Sequence, residues 1–190
     1  MLPYFLGSFS GAFLAYILLH FVVTGDFYKY KTEQEQIKWR YLMVSLFAHM
    51  ITPAWVFMNL KNNCPDKGDY AWYTDQECFF RLNPEFAFYT AAYCGFELWD
   101  LCIVAFFLRN KKGDRDLMLV AHHVFNILGN TMAFYGGFAS LACAMLGTGI
   151  DFTSIFLNIK DLVPESYKNG KLDLINKLTF FFSFTIVRIL

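Results

Sequence analysis

The chain has 190 residues, of which 56% are hydrophobic, 20% aromatic and only 17% charged, and its formal net charge is zero. A soluble domain carries about 25% charged residues, so the mean hydropathy of +0.35 and the long apolar runs mark a polytopic membrane protein. The neutral balance argues against a nucleic-acid partner, and nothing resembles a phosphate loop, a serine-nucleophile elbow or a redox Cys-x-x-Cys.

Six spans are predicted in one domain, residues 1–190. The first covers about Leu2 to Val23; no Lys or Arg occurs in the first 28 residues, so it reads as a retained span rather than a targeting segment. It contains Gly7-Ser-Phe-Ser-Gly11, a G-x-x-x-G that permits close helix packing or occurs by chance, and offers Tyr16, His20 and Thr24. The second runs from about Trp39 to Leu60, with Ser45, His49, Thr52 and Asn59 on one helical face. A polar loop, Lys61 to Pro84, holds Cys64 and Cys78, read either as a disulfide or as two free thiols. The third span, about Glu85 to Leu108, repeats Tyr89, Tyr93, Glu97 and Asp100 at helical spacing. A basic loop, Arg109 to Arg115, leads to the fourth, about Asp116 to Tyr135. There His123, Asn126 and Asn130 share a stripe, and His122 adjoins Asn126 at i+4. After the Gly136-Gly137 turn comes the fifth, about Phe138 to Ile159, with Gly147, Asp151, Ser154 and Asn158. A loop with Pro164 precedes the sixth, which starts near Leu174, carries Thr185 and Arg188 and is still apolar at Leu190; it either ends buried or continues in a longer protein.

Twelve Lys and Arg residues fall in or beside the odd-numbered loops, against three (Lys61, Lys67 and Arg81) in the even ones. The positive-inside bias places the odd loops in the cytosol, or in the matrix of a mitochondrion, and the cysteine loop on the other side. Cys94, Cys102 and Cys143 lie in spans and read as small packing residues.

An Asp or Arg at a helix centre costs about 2.5–3.5 kcal/mol on insertion scales. Asp100, Asp151 and Arg188 therefore need partners or an interface. The economical solution turns every polar stripe inward onto a polar, lipid-accessible chamber, lined by His49, Ser45, Glu97, Asn126, Asn130, Ser154, Asn158 and Arg188. The bland alternative is that single stripes are interhelical glue. Adjacent histidines point about 100° apart, so they are not an i, i+4 chelating pair, and no metal site is assigned. Acid–base or nucleophilic work by one histidine suits the residues better, with Asp100 or Asp151 fixing the imidazole tautomer. The candidate catalytic set is His122, His123, Asp151 and Asp100.

In order and spacing the pieces resemble the TLC-domain family, which includes the ceramide synthases and TRAM-like translocon proteins. The matching pieces are Leu-Leu-His20-Phe, Lys-Trp39-Arg-Tyr-Leu-Met-Val-Ser45-Leu-Phe-Ala-His49, Gly95-Phe-Glu-Leu-Trp-Asp100, Asp116-Leu-Met-Leu-Val-Ala-His122-His123, Asp151-Phe-Thr-Ser-Ile-Phe-Leu-Asn158-Ile-Lys160 and Phe-Phe-Ser-Phe-Thr-Ile-Val-Arg188-Ile. The chain looks closest to the small members that are not ceramide synthases. These usually carry Glu where Asp151 stands, then Ser-Thr rather than Thr-Ser, and Arg where Lys160 stands. The resemblance implies an all-α bundle of about six transmembrane helices around a lipid-accessible cavity. It also implies a role in lipid binding, sensing or acyl transfer, with His122 and His123 matching the catalytic pair and acyl-CoA as co-substrate if acyl transfer holds; no other cofactor is implied. Ceramide synthases pair their histidines with two aspartates in the next span, where this chain has only Asp151. That shortage supports the alternative, a catalytically silent accessory subunit of a large membrane complex such as a mitochondrial respiratory assembly. Membrane lipids are the expected partners, with other membrane-protein subunits under the alternative. The expected location is the endoplasmic reticulum or another endomembrane, or the mitochondrial inner membrane under the alternative.

Overall fold

The computed structural model describes residues 2–22, 32–64, 66–68, 71–81, 83–108, 116–136, 141–163 and 170–188. It is all-α. The helices are α1 (Leu2–Val22), α2 (Glu33–Asn59), α3 (Ala71–Thr74), α4 (Gln76–Phe80), α5 (Pro84–Phe106), α6 (Leu117–Tyr135), α7 (Leu141–Leu162) and α8 (Lys171–Arg188), with a 3-10 turn over Leu60–Asn63 after α2. The six long helices coincide with the six sequence segments because apolar runs end where Gly, Pro and charge accumulate. Thr24, the basic loop from Arg109 to Arg115, Gly137, Pro164 and Leu190, and the side chains of Cys143 and Arg188, lie outside the described residues.

Among the described residues, α1 over Leu2–Phe21 and α2 are long and apolar enough to cross a membrane, with mean hydropathies of 1.6 and 1.5. The helices α5 to α8 have 23, 19, 22 and 18 residues. They are of spanning length, but their polar stripes dilute the apolar signal.

The start of α2 differs from the sequence expectation by a turn and a half. Glu35 Oε2 accepts from the Thr32 amide at 2.7 Å and from its hydroxyl at 2.9 Å, while Thr32 Oγ1 accepts from the Glu35 amide at 3.3 Å. This is a capping box, and it begins the helix in polar sequence before the apolar run. Pro53 lies inside α2. Having no amide hydrogen, it donates no helical bond to the carbonyl four residues back. The start of α6 is capped by Asp116, whose Oδ1 accepts from the Leu119 amide at 3.1 Å.

The chain divides into two compact units, Met1–Val44 with Pro84–Ala139, and Ser45–Asn83 with Ser140–Leu190. In the first, α1 and α6 both pack on α5. The α1 and α5 backbones approach closely at Gly95, where a Cβ would collide with the Phe5 backbone carbonyl. At Gly7 and Gly11, the G-x-x-x-G of the sequence, an added Cβ would meet nothing within 4 Å. That motif therefore packs against nothing among the described residues, and the small residue that admits a neighbouring helix is Gly95. Tyr4 stacks on Phe88 at 4.5 Å, and an aromatic cluster of Tyr16, Tyr41 and Phe96 encloses the fully buried Trp99. The Arg40 guanidinium lies 4.5 Å from the centre of the Tyr16 ring, a cation–π contact that leaves its charge near the entrance of α2.

In the second unit α7 packs on α8. The loop after α2 is a small braced module. Cys64 and Cys78 are bonded as a disulfide and buried with Ala71. The N-cap of α4 is Asp75, which accepts from the Glu77 and Cys78 amides. Lys67 Nζ donates to Asp75 and Glu77, both at 2.8 Å, and Arg81 reaches Asp66 at 3.2 Å. The bonds to Asp75 and then Glu77 raise the Lys67 ammonium above its ordinary range. Lys67, and after it the Cys78 amide, hold the Asp75 carboxyl below its own.

Candidate functional site

In the first unit, the face of α5 that carries Tyr93, Glu97 and Asp100 is buried, and α6 turns one histidine onto it. His123 Nδ1 lies 2.8 Å from Glu97 Oε2 and 3.8 Å from Asp100 Oδ2. A carboxylate oxygen accepts, so Nδ1 carries the hydrogen and Nε2 is the nitrogen left for other work. His123 is 5% exposed, and its Nε2 has no hydrogen-bond partner among the described residues. The same holds for Asp100 Oδ1 and Trp99 Nε1. An unsatisfied buried polar atom costs about 1–3 kcal/mol, and three occur on two successive residues of α5 and the histidine facing them.

The two histidines part company. The ring centroids of His122 and His123 are 5.4 Å apart with planes at 70°. His122 is exposed, and its Nε2 contacts Asn126 Nδ2 at 3.2 Å. Asn126 and Asn130 are half-buried, and the Asn130 amide donates to the Asn126 carbonyl at 2.8 Å. Adjacent residues on a helix cannot share one face, and of the two it is His123 that is placed against Glu97. The orienting acid is Glu97, which the sequence placed in the chamber lining, with Asp100 a second carboxylate beyond hydrogen-bond reach. The shortage of aspartates in the span after the histidines does not leave His123 without acid, because α5 places Glu97 against it. Sequence reasoning also passed over Tyr41, whose hydroxyl donates to Asp100. The signal was a tyrosine at the entrance of a span, since a buried hydroxyl needs a partner.

A second buried histidine sits in the second unit. His49 Nδ1 is 2.6 Å from the Ser45 carbonyl and 3.2 Å from Ser45 Oγ, while Nε2 is 3.6 Å from Asp151 Oδ1. Asn158 Nδ2 donates to Ser45 Oγ at 3.1 Å. Asp151, the candidate partner for His122 or His123, is fully buried and opposes His49. Ser45, His49 and Asp151 lie together without forming a nucleophilic triad. The carbonyl can only accept, so His49 Nδ1 carries a hydrogen and cannot take one from Ser45. Ser154 Oγ donates to the Ile150 carbonyl at 3.0 Å and is spent on its own helix.

The same unit has an apolar groove of about 460 Å³ between α7 and α8, walled by Phe152, Ile175, Leu178, Phe182 and Ile186. Thr179 and Ser183 also line it, but their hydroxyls donate to their own backbone at 2.9 and 3.0 Å. It contains none of the buried histidines or carboxylates. Among the described residues no group of three or more His, Cys, Asp or Glu has the arrangement of a metal site.

Among the described residues the chain is helical, with two apolar helices long enough to span a membrane and a histidine buried against a carboxylate, the marks of a membrane-protein class. The family model described as the TLC domain matches residues 38–190. The chain belongs to the TLC-domain family, whose members are membrane proteins with lipid-related roles. Neither a curated protein nor a solved structure matches it.

Proposed function

We propose that the protein crosses an endomembrane six times and binds a lipid at His123, whose Nε2 accepts a hydrogen from the polar group of that lipid. The observation that carries this reading is the buried imidazole with one nitrogen held by Glu97 and the other without a partner among the described residues. Burial strengthens electrostatic interactions, so a lipid hydroxyl donating to Nε2 gains more there than in water. The same geometry supports acid–base catalysis, because a fixed tautomer presents a lone pair to the bound group. His123 would take the proton, Glu97 would orient the ring and balance the imidazolium, and Asp100 would supply a further negative charge. Acyl transfer from an acyl-CoA is the reaction this favours, and lipid sensing is the same binding without turnover.

The test is mass spectrometry of lipids retained by the protein purified from its native membrane, comparing His123→Ala, Glu97→Gln and His122→Ala with wild type. His123→Ala loses the lipid and His122→Ala keeps it. Glu97→Gln weakens a charge-assisted hydrogen bond worth about 1.5–3 kcal/mol, which lowers affinity about 10–100-fold. Wild-type lipid retention by His123→Ala refutes the assignment.

A further inference from the structure

Arg40 stands where α2 changes character. Before it the helix carries Glu33, Glu35 and Lys38; from Tyr41 to Met58 it carries no Asp, Glu, Lys or Arg. That second stretch is about 27 Å of helix, close to a hydrocarbon thickness of about 30 Å. Arg40 therefore lies at the depth of the lipid headgroups. Trp39 and Tyr41 flank it, and these are the aromatic types that settle at that depth.

The side chain is held in place. Its Nε donates to the Gln36 carbonyl at 3.4 Å. The guanidinium carbon is 4.5 Å from the centre of the Tyr16 ring. Tyr16 is itself buried and meets Trp99 edge-on at 6.2 Å, so the ring against the cation is packed on its own neighbour. All of these residues belong to the first unit.

What this cation lacks is an anion. Lys67 closes on Asp75 and Glu77, Arg81 on Asp66, and Lys177 on Asp173. Arg40 makes no ion pair among the described residues. Its neighbours three and four places away along α2 are Gln36, Ile37, Met43 and Val44, and α1 has no acidic residue. With Nε on Gln36 and a face against Tyr16, the two Nη groups form the remaining edge of the guanidinium. That edge is the planar fork that takes two phosphate oxygens in parallel. Arg40 is half-buried, and at a low-dielectric boundary such a pair gains more than it does in water.

We infer that Arg40, set against Tyr16, binds the phosphate of a membrane phospholipid. A phosphodiester headgroup carries one negative charge and matches one guanidinium. A soluble phosphate ester offers the same oxygens, but the depth of Arg40 favours a phosphate that arrives with acyl chains, which then lie along the apolar stretch of α2. This site is separate from His123 and does not rest on the reading of that residue.

The experiment is native mass spectrometry of the full chain in detergent, titrated with phosphatidylglycerol, with diacylglycerol of the same acyl chains, and with glycerol phosphate. Saturable binding of phosphatidylglycerol is expected, with both other probes about tenfold weaker or more. Arg40→Gln removes the charge-assisted pair and weakens phosphatidylglycerol about 10–100-fold. Arg40→Lys keeps the charge but loses the fork and its contact with the ring, and weakens it about 2–5-fold. Wild-type affinity in Arg40→Gln overturns the site. Equal affinity for diacylglycerol overturns phosphate as the group bound. Glycerol phosphate that binds as tightly as phosphatidylglycerol, and depends on Arg40, overturns the membrane as the source.

The titration is repeated on His123→Ala. The step that depends on Arg40 is expected to persist there, whether or not that variant keeps its native lipid, and its loss would overturn a separate site. A failure of the phosphate assignment and a failure of the His123 reading are therefore seen apart.

Discussion

Replacing Gly95 by alanine isolates the contact on which the first unit is built. The added Cβ meets the Phe5 backbone carbonyl, and an obstacle made of backbone cannot rotate away, so α1 must withdraw from α5. Overpacking of this kind costs about 1–3 kcal/mol. Against it stands the better helix propensity of alanine, about 1 kcal/mol, so Gly95→Ala alone is expected to lose about 0–2 kcal/mol. The informative quantity is the difference from Gly7→Ala and Gly11→Ala, where a Cβ enters open space on α1. The propensity gain is common to all three and cancels, leaving about 1–3 kcal/mol. For a chain of this size that is about 2–12 °C in melting temperature. Thermal unfolding of the purified variants in one detergent, followed by loss of the monodisperse peak, measures it. A Gly95→Ala protein that melts with or above Gly7→Ala would refute the packing argument.

Two smaller perturbations address the helix ends and the loop. Thr32→Ala removes the hydroxyl half of the α2 capping box and is expected to cost about 1 kcal/mol, seen as faster amide exchange in the first turn of α2 with the rest of the helix unchanged. In the braced loop, the contribution of Asp75 is present above the ordinary value of 3.8 and is lost as pH falls through its lowered folded value. That of Lys67 is present below 10.5 and is lost as pH rises through its raised value. Protease sensitivity of the loop is therefore flat through the neutral range and rises only at the acid and alkaline ends. A rise between pH 5 and 8 would show that this clamp is not what holds the loop.

Much of this architecture is legible in the sequence because a bilayer leaves few choices. The long segments have to be helices, since the backbone must satisfy itself in hydrocarbon, and most of their ends fall within a few residues of the sequence boundaries. The exception, the start of α2, is written in Thr32-x-x-Glu35, a local capping signal overshadowed by the apolar run after it. Buried polar stripes are also legible: Glu97, Asp100 and His123 each lie on an inward face. Which carboxylate meets which histidine is not. That depends on the axial register and rotation of α5 against α6, and a shift of one turn would exchange Asp100 for Glu97 opposite His123. The choice between His122 and His123 is likewise a rotation of about 100°, which no pattern of neighbouring residues settles. The G-x-x-x-G of α1 misleads because spacing alone does not reveal whether a neighbouring helix is there. Gly95 makes its contact as a single glycine.

At 27 residues, α2 is about 40 Å long, some 10 Å more than a typical hydrocarbon core of about 30 Å. Its neighbour in sequence, α1, has 21 residues and spans about 31 Å. The capped turns from Glu33 to Lys38 are therefore a reserve of polar helix at the end nearest the basic side. Bilayers differ in thickness by several ångströms, from about 27 Å in the endoplasmic reticulum to about 32–33 Å in the plasma membrane. A helix longer than the core absorbs that difference by drawing one more or one fewer turn into the headgroups, while a helix cut to length must tilt or strain. The polar first turns of α2 are where its length exceeds such a core.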